Sequence, residues 1–402
     1  MNGPFEAIKV SDRVYWVGAV DWDVRDFHGY ATSRGTTYNA YLILADKPTL
    51  IDTVKAPFMS EMFSRIASVI EPGKIQYIIS NHSEMDHSGC LPETVTAIKP
   101  QKVFASTIGA KTLEKHYHAG MEIAALKDGD ALSLGNMNLA FVETRMLHWP
   151  DSMFSFLAEE GVLFSQDAFG MHLADHRRFA DEIPDDVLEF EGAKYYANIL
   201  LPLSPLVLKL LARVPELNLD IKIIAPDHGP IWRKDLARPL KSYERWAKQA
   251  PTRKAVVVHD SMWGATTLMA RAVGEGLYAG GVDARMVKLR ASHRSDAVTE
   301  VMCAGGLVVG SPTINRTIFP TVADFLCYTR GLKPQNLVGA AFGSYGWSGE
   351  AVKQLSDALA EIGVGMLNEG LRVNYAPDSE TLAECRKFGL DIAARIVENC
   401  GG

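Results

Sequence analysis

The chain has 402 residues, 47% of them hydrophobic and 22% charged, which is enough length for two or three domains and the composition of a folded globular protein. A single small module, a fibrous repeat and wholesale disorder are excluded. With 48 acidic against 41 basic residues the formal net charge is -7, so no nucleic acid partner is expected.

No apolar run approaches the ~20 residues that span a bilayer, and the start of the chain lacks a basic segment leading into an apolar signal core. A cytoplasmic protein with no membrane attachment is expected. The five cysteines, Cys90, Cys303, Cys327, Cys385 and Cys400, never stand as Cys-x-x-Cys, so neither a disulfide framework nor a rubredoxin-type centre is encoded. Any metal must then sit on histidine and carboxylate.

In chain order, residues 14–20, 38–44 and 49–54 read as short strands bounded by Gly, Asp and Pro. A helix is expected over 59–70, where Met62, Ile66 and Ile70 share a face before Glu71-Pro72-Gly73 stops it. Further strands are expected at 75–79, 139–143, 162–165 and 221–225, with a helix at 205–213. This half is mixed, with many strands. From Lys254 strands and helices alternate regularly to residue 399, the pattern of a parallel sheet wrapped by helices. The boundary is placed at Ala250-Pro251-Thr252-Arg253, which divides the chain into 1–250 and 251–402.

Asn81-His82-Ser83-Glu84-Met85-Asp86-His87 packs four potential ligands directly behind an apolar run. A solvated polar loop would account for such residues singly. Packed this densely they repel one another or go unsatisfied unless a cation sits among them. His148, Asp167 and His228 each stand just past another short apolar run, so four strand exits can converge on one sheet edge. The set supplies enough donors for two metals with one carboxylate bridging. Three carboxylates suit iron or manganese better than a His-dominated zinc site, although affinity order leaves zinc open. His28, His116, His118, His176, His259 and His293 read as surface or core residues. His172, five residues past Asp167, and Tyr195 or Tyr196 are candidates to support the ligands through hydrogen bonds.

In the second half, Ser261-Met262-Trp263-Gly264-Ala265-Thr266-Thr267 opens a helix after the first strand. Backbone N–H groups, hydroxyls and the helix dipole can cradle a phosphate there, and the absence of a Gly-Lys-Ser/Thr ending excludes a triphosphate P-loop. Ser311-Pro312-Thr313-Ile314-Asn315 and Ser344-Tyr345-Gly346-Trp347 follow the third and fourth strands. Three such loops at one crevice, with Trp263, Tyr345 and Trp347 able to flank a ring, point to FMN in a flavodoxin-like fold. Gly274-x-Gly276-x-x-Ala279 has dinucleotide spacing but falls late in an expected helix and is discounted.

The motif His82-x-Glu84-x-Asp86-His87 resembles that of the metallo-β-lactamase superfamily, with Glu84 where the hydrolases carry a second His, the mark of the flavodiiron proteins. Gly35-Thr36-Thr37-Tyr38-Asn39-Ala40-Tyr41, His148-Trp149-Pro150-Asp151-Ser152-Met153 and Tyr195-Tyr196-Ala197-Asn198-Ile199 are similar to that family's as well, as are the three later loops. The resemblance implies an N-terminal metallo-β-lactamase-like αββα sandwich followed by a C-terminal flavodoxin-like doubly wound parallel sheet. It implies a non-haem diiron centre, one iron on His82, Glu84 and His148, the other on Asp86, His87 and His228, with Asp167 bridging. Family members differ on whether the imidazole at His87 coordinates. The implied activity is reduction of O2 to water, of NO to N2O, or of both; Tyr195, Tyr196 and His172 are the candidate proton sources on the reading of the residues. Electrons would come from an external donor such as rubredoxin, and a head-to-tail homodimer, or a dimer of such dimers, would bring FMN to the irons. Two competing readings are a metallo-β-lactamase-like hydrolase with a regulatory flavodoxin domain, and an electron-transfer module that turns over neither gas.

Overall fold

The computed structural model describes residues 3–401. The described residues pack as two compact units: residues 3–27, 32–195 and 205–244 form one, and residues 28–31, 196–204 and 245–401 the other. In place of a single cut at 250/251, the second unit thus recruits two short segments from the N-terminal half. Asn198 explains one of them. Its amide donates to Ser295 O at 3.2 Å, and its side-chain oxygen accepts from the Tyr328 hydroxyl at 2.9 Å. Contacts made by one polar side chain leave no periodic trace in a sequence.

In the first unit, seven strands form one sheet in chain order: β1 (Ile8–Lys9), β2 (Val14–Trp16), β3 (Tyr41–Ile43), β4 (Thr49–Ile51), β5 (Tyr77–Ser80), β6 (Lys102–Ser106) and β7 (Ile123–Leu126). Pairing is antiparallel to β4 and parallel beyond it. A second sheet carries β8 (Ala131–Ser133), β9 (Asn138–Glu143), β10 (Met153–Leu157), β11 (Val162–Gln166) and β12 (Ile223–Pro226), antiparallel except for the last pair. The strand expected over 14–20 is two strands, because the chain breaks at Val17-Gly18 before a short pairing of Ala19–Asp21 with Thr36–Tyr38. Gly18 is needed there, since a Cβ would lie 2.2 Å from Tyr38 O.

Side-chain alternation builds the layers. Tyr41 and Ile43 of β3 and Ile51 of β4 face Phe141, Met153 and Phe164 of the second sheet in one buried core. Their neighbours Leu42 and Leu50 face outward with Ile78 and Val103. There they meet Met62 and Ile66 of α1 (Met59–Ala67), Leu91 and Ile98, and Leu113. The four-residue α2 (Met85–Ser88) sits at the β5 exit, followed by α3 (Leu91–Ile98) and α4 (Thr107–Tyr117). Then come α5 (Asp185–Tyr195), α6 (Ser204–Arg213) and α7 (Ala237–Lys248), whose Tyr243 stacks on Phe169 beside the second sheet.

One stretch departs from the expectation of no long apolar run. The consecutive helical turns Asp185–Leu217 are long and apolar enough, by length and composition, to cross a membrane. They include a π-helical turn at Tyr196–Leu200 and 3₁₀ turns at Leu201–Leu203 and Val214–Leu217, with Pro202, Pro205 and Pro215 interrupting a regular helix. A third of the apolar window is buried inside the fold.

The second unit is a parallel sheet of β13 (Lys254–His259), β14 (Asp283–Lys288), β15 (Gly306–Gly310), β16 (Val338–Tyr345), β17 (Gly365–Met366) and β18 (Leu371–Asn374). Its order is β14-β13-β15-β16, with β17 and β18 both pairing β16, so all strands run parallel and the order in which they are added reverses between β13 and β15. Helices α8 (Ala265–Ala279) and α12 (Ser379–Asn399) cover one face, packing Met269, Val273, Phe388 and Ile392 on Ala255, Val257 and Val308. Helices α9 (Arg294–Met302), α10 (Pro320–Leu332) and α11 (Glu350–Ile362) complete the unit. Gly276 is accounted for by this packing: a Cβ there would sit 2.0 Å from Arg386 O of α12, so the glycine permits a close helix crossing.

Candidate metal centre and flavin loops

Four strand exits deliver the N-terminal cluster. His82 and Glu84 lie on the β5 exit and Asp86 and His87 in α2, while His148 stands on the β9–β10 turn, Asp167 directly after β11 and His228 two residues after β12. All seven come together as two groups, His82, Glu84, His148 and Asp167, and Asp86, His87 and His228, with donor atoms inside each group within 4.8 Å of one another. Six of the seven are buried, and His148 is partly exposed.

Asp167 joins the groups. Its Oδ2 lies 3.3 Å from His82 Nε2 and 2.8 Å from His148 Nε2, while its Oδ1 lies 3.2 Å from His87 Nε2 and 3.5 Å from His228 Nε2. Glu84 Oε2 completes the first group at 3.3 Å from His82 Nε2 and 3.2 Å from His148 Nε2. In the second, Asp86 Oδ2 is 3.3 Å from His87 Nε2 and 3.1 Å from His228 Nε2. The His87 ring therefore faces inward, its Nε2 3.1 Å from His228 Nε2.

Two imine nitrogens that close, ringed by buried carboxylates, demand positive charge between them. Both oxygens of Asp86, Asp167 Oδ1 and His87 Nδ1 are buried without a hydrogen bond, so the residues present fit a pair of cations. Burial would pull His148 down, but hydrogen bonds to Asp167 and Glu84 outweigh it and raise the imidazole to about 9. Burial likewise opposes ionisation of Glu84, yet His148 and His82 hold its carboxyl down at about 2.

Supporting contacts set the ligand rings. His228 Nδ1 donates to Thr37 O at 2.6 Å, and Gly229 N to Thr37 Oγ1 at 2.7 Å. Asn39 Nδ2 donates to Pro226 O and Gly229 O, clamping the loop that bears His228. Gln166, held in the left-handed region, receives Asp167 N on its Oε1 at 2.7 Å and donates from its amide to Leu147 O. One glutamine thus ties two ligand loops. Sequence reasoning missed Gln166, Asp52 and Asp227, the last fully buried with its Oδ2 3.7 Å from His87 Nδ1, and it met Asp151 only inside a family-like stretch, with no role. Gln166, Asp151 and Asp227 stand within three residues of a ligand, whereas Asp52 lies far from any of them in sequence.

The three candidate proton donors separate. His172 is buried, with Nδ1 2.8 Å from Thr36 Oγ1 and its ring 4.6 Å from that of His228 and 5.1 Å from that of Tyr195. Burial and the nearby His228 push its pKa well below the ordinary value, so the ring is neutral. Tyr195 is raised well above the ordinary value by burial and by the charge of Asp167, so its phenol keeps its proton. Tyr196 is the correction. It belongs to the other unit, where its hydroxyl meets Ser204 Oγ at 3.1 Å and its ring stacks on Trp246. Neighbouring residues on a helix project about 100° apart, so only one of the pair can face the cluster.

In the second unit the expected loops lie at the carboxyl ends of adjacent strands β13, β15 and β16. Ser261 Oγ accepts from Gly264 N at 2.9 Å, and Gly264, with φ of +95°, turns the chain into the N-terminus of α8. Ala265 contributes only backbone to this turn. Thr266 Oγ1 and Ser344 Oγ meet at 2.8 Å, joining the first loop to the third. Ser311 Oγ donates to Pro312 O and receives Phe319 N, which shapes the second loop, with Thr313 starting a two-residue strand and Asn315 at φ +48°. Trp263 is 96% exposed and Trp347 91%. Thr267 Oγ1 is buried without a hydrogen bond. An anion-binding helix start beside two uncovered indoles fits a flavin mononucleotide.

A metal cluster at one end of a β-lactamase-like sandwich, joined to a flavodoxin, defines a class of two-unit redox proteins, and comparison with known proteins agrees. Residues 36–229 match the ODP family beta lactamase and residues 257–389 the Flavodoxin family. A nitric oxide reductase of Moorella thermoacetica is 44% identical, covering 98% of this chain and 100% of the relative. The solved rubredoxin oxygen:oxidoreductase of Desulfovibrio gigas is 42% identical with a TM-score of 0.96, covering 99% of this chain and 100% of that one. The flavodiiron protein of Giardia intestinalis is 33% identical with a TM-score of 0.96, covering 100% and 99%. The chain belongs to the flavodiiron protein family.

Proposed function

We propose that this chain is an oxidoreductase that reduces O2 to water, NO to N2O, or both. The observation that carries the reading is Asp167, one carboxylate with an oxygen in each of two His/carboxylate groups, in a chain that also bears flavin loops. One iron would sit on His82, Glu84 and His148, the other on Asp86, His87 and His228, with Asp167 between them. FMN would be held by Ser261, Met262, Trp263, Gly264, Ala265, Thr266, Ser311, Pro312, Thr313, Asn315, Ser344, Tyr345, Gly346 and Trp347. When bound, FMN and the iron pair supply the stored electrons that take O2 to water or couple two NO molecules.

The chain's own residues do the rest. Glu84, Asp86 and Asp167 nearly balance two divalent ions, which leaves a site that admits a neutral diatomic. The Tyr195 ring lies 5.1 Å from that of His172 and 6.1 Å from that of His228, and His172 Nδ1 meets Thr36 Oγ1, so this pair is placed to pass a proton toward the cluster. The names of the relatives lend no support to a hydrolase, and Glu84 in place of a second His opposes one.

The donor is a separate protein of the rubredoxin type, in keeping with the name of the Desulfovibrio gigas relative. The assembly is a head-to-tail homodimer or a dimer of such dimers. Met85 and Met146, 52% and 40% exposed next to ligands, and the uncovered Trp263 and Trp347 give the two units apolar surfaces that a second copy would cover. A cytoplasmic setting suits the five free thiols.

The test is anaerobic reduction of the purified protein followed by stoichiometric O2 or NO, with flavin colour and gas followed together. Reoxidation in step with gas consumption supports the reading; flavin that stays reduced under both gases overturns it.

A further inference from the structure

We infer that Asp151 is a positioning residue that fixes the orientation and tautomer of His82 for the first of the two metal positions, an assignment that rests on the diiron reading above. Asp151 stands three residues past His148 on the β9–β10 turn and is almost fully buried. Its Oδ2 gathers three donors from the β5 exit: Ser83 N at 2.6 Å, Ser83 Oγ at 2.7 Å and His82 Nδ1 at 3.3 Å. With a cation drawing on one imidazole nitrogen the proton goes to the other, and here Asp151 Oδ2 stands ready to accept it from Nδ1. The lone pair is then left on Nε2, the atom that faces Glu84 Oε2 and Asp167 Oδ2, both at 3.3 Å.

Asp151 is itself held from the other side. Its carbonyl accepts from Ser106 Oγ at 2.7 Å, and the same hydroxyl oxygen caps α4 by accepting from Gly109 N at 3.0 Å. One residue therefore ties together the loop of His82, the loop of His148 and the start of a helix. The other ligand histidines are supported differently. His228 Nδ1 meets an uncharged carbonyl, Thr37 O, and His87 Nδ1 lies 3.7 Å from Asp227 Oδ2, beyond hydrogen-bond range. His82 alone of these three donates to a carboxylate, which orients the ring and makes it a stronger donor to metal. The consequence is asymmetric: removing the Asp151 carboxylate weakens the His82 position and spares the Asp86, His87 and His228 position.

The experiment uses the full-length protein loaded with FMN and iron. Iron per chain is measured after graded exposure to a ferrous chelator, with Mössbauer spectra to tell the two positions apart. Asp151→Ala is expected to release the His82-side iron at a chelator concentration ~10–100-fold lower than the parent requires, with the second iron and the flavin retained. Asp151→Asn, which keeps an acceptor oxygen and is the safer variant for folding, is expected to fall between. Both variants matching the parent in chelator resistance and spectrum would overturn the inference. So would loss of both irons together in step with a lowered melting temperature, the outcome of a merely structural role. A parent protein that never holds a pair of irons would refute the diiron reading itself, whatever the variants do.

Discussion

The two sites of this chain are built on opposite principles. The metal cluster is buried, charged and made of side chains. Seven ligand candidates come from four strand exits, the His228 and His82 rings meet Thr37 O and Asp151, and Gln166 holds the backbone of Asp167. The flavin loops are uncharged, largely backbone and capped by two indoles in water. A site that must hold naked charge needs every partner fixed in advance, whereas a site that binds a phosphate and a ring needs a helix start, a few hydroxyls and an apolar plate.

That contrast is open to attack in order of expected effect. Asp167→Ala should cost most. It removes the residue with an oxygen in each group, so iron should fall from two per chain toward none, and gas reduction by more than the ~10–100-fold that losing a supporting contact costs. Metal analysis beside turnover checks it. Tyr195→Phe keeps the ring and drops the proton, so turnover should fall by roughly 100-fold with iron and FMN content unchanged. Unchanged turnover would move proton delivery elsewhere.

A third prediction tests stability in the flavodoxin unit. His259 is buried with no hydrogen bond at either ring nitrogen, and burial followed by the nearby charge of Lys288 depresses it from the ordinary 6.5 to about 4. The folded ring resists a proton that the unfolded chain accepts. Stability is therefore whole above about 6.5 and is lost as pH falls toward about 4, by at most roughly 3 kcal/mol. Melting temperature against pH should show the loss, and His259→Phe should flatten that part of the curve.

Trp347→Ala should weaken FMN binding by only ~3–10-fold, the worth of one exposed stacking contact, as read by flavin fluorescence titration. Tyr196→Phe is the smallest. It removes one hydrogen bond to Ser204, costs ~1 kcal/mol of stability and leaves gas reduction untouched.

How much was legible from sequence follows the same division. Ligand side chains announce themselves, because charges clustered behind apolar strands are seldom stable without a cation among them, and the structure brings together all seven residues that the sequence singled out. The loops after β13, β15 and β16 could be placed because strand and helix alternate so regularly that each loop's position in the sheet follows. Supporting residues were not. Asp151 and Gln166 look like ordinary loop residues until the fold brings them against His82 and Asp167. Tyr195 and Tyr196 could not be told apart without the helix that turns one to the cluster and the other to Trp246. The unit boundary was only partly readable, since residues 28–31 and 196–204 join the second unit through side-chain contacts that have no periodicity.

The most direct measurement is anomalous diffraction at the iron edge from crystals of the iron-loaded protein. The account predicts two peaks per chain, one on each side of the Asp167 carboxylate, the first ringed by His82, Glu84 and His148 and the second by Asp86, His87 and His228. A single peak, or a pair that scatters at the zinc edge and not the iron edge in protein purified without added metal, would contradict it.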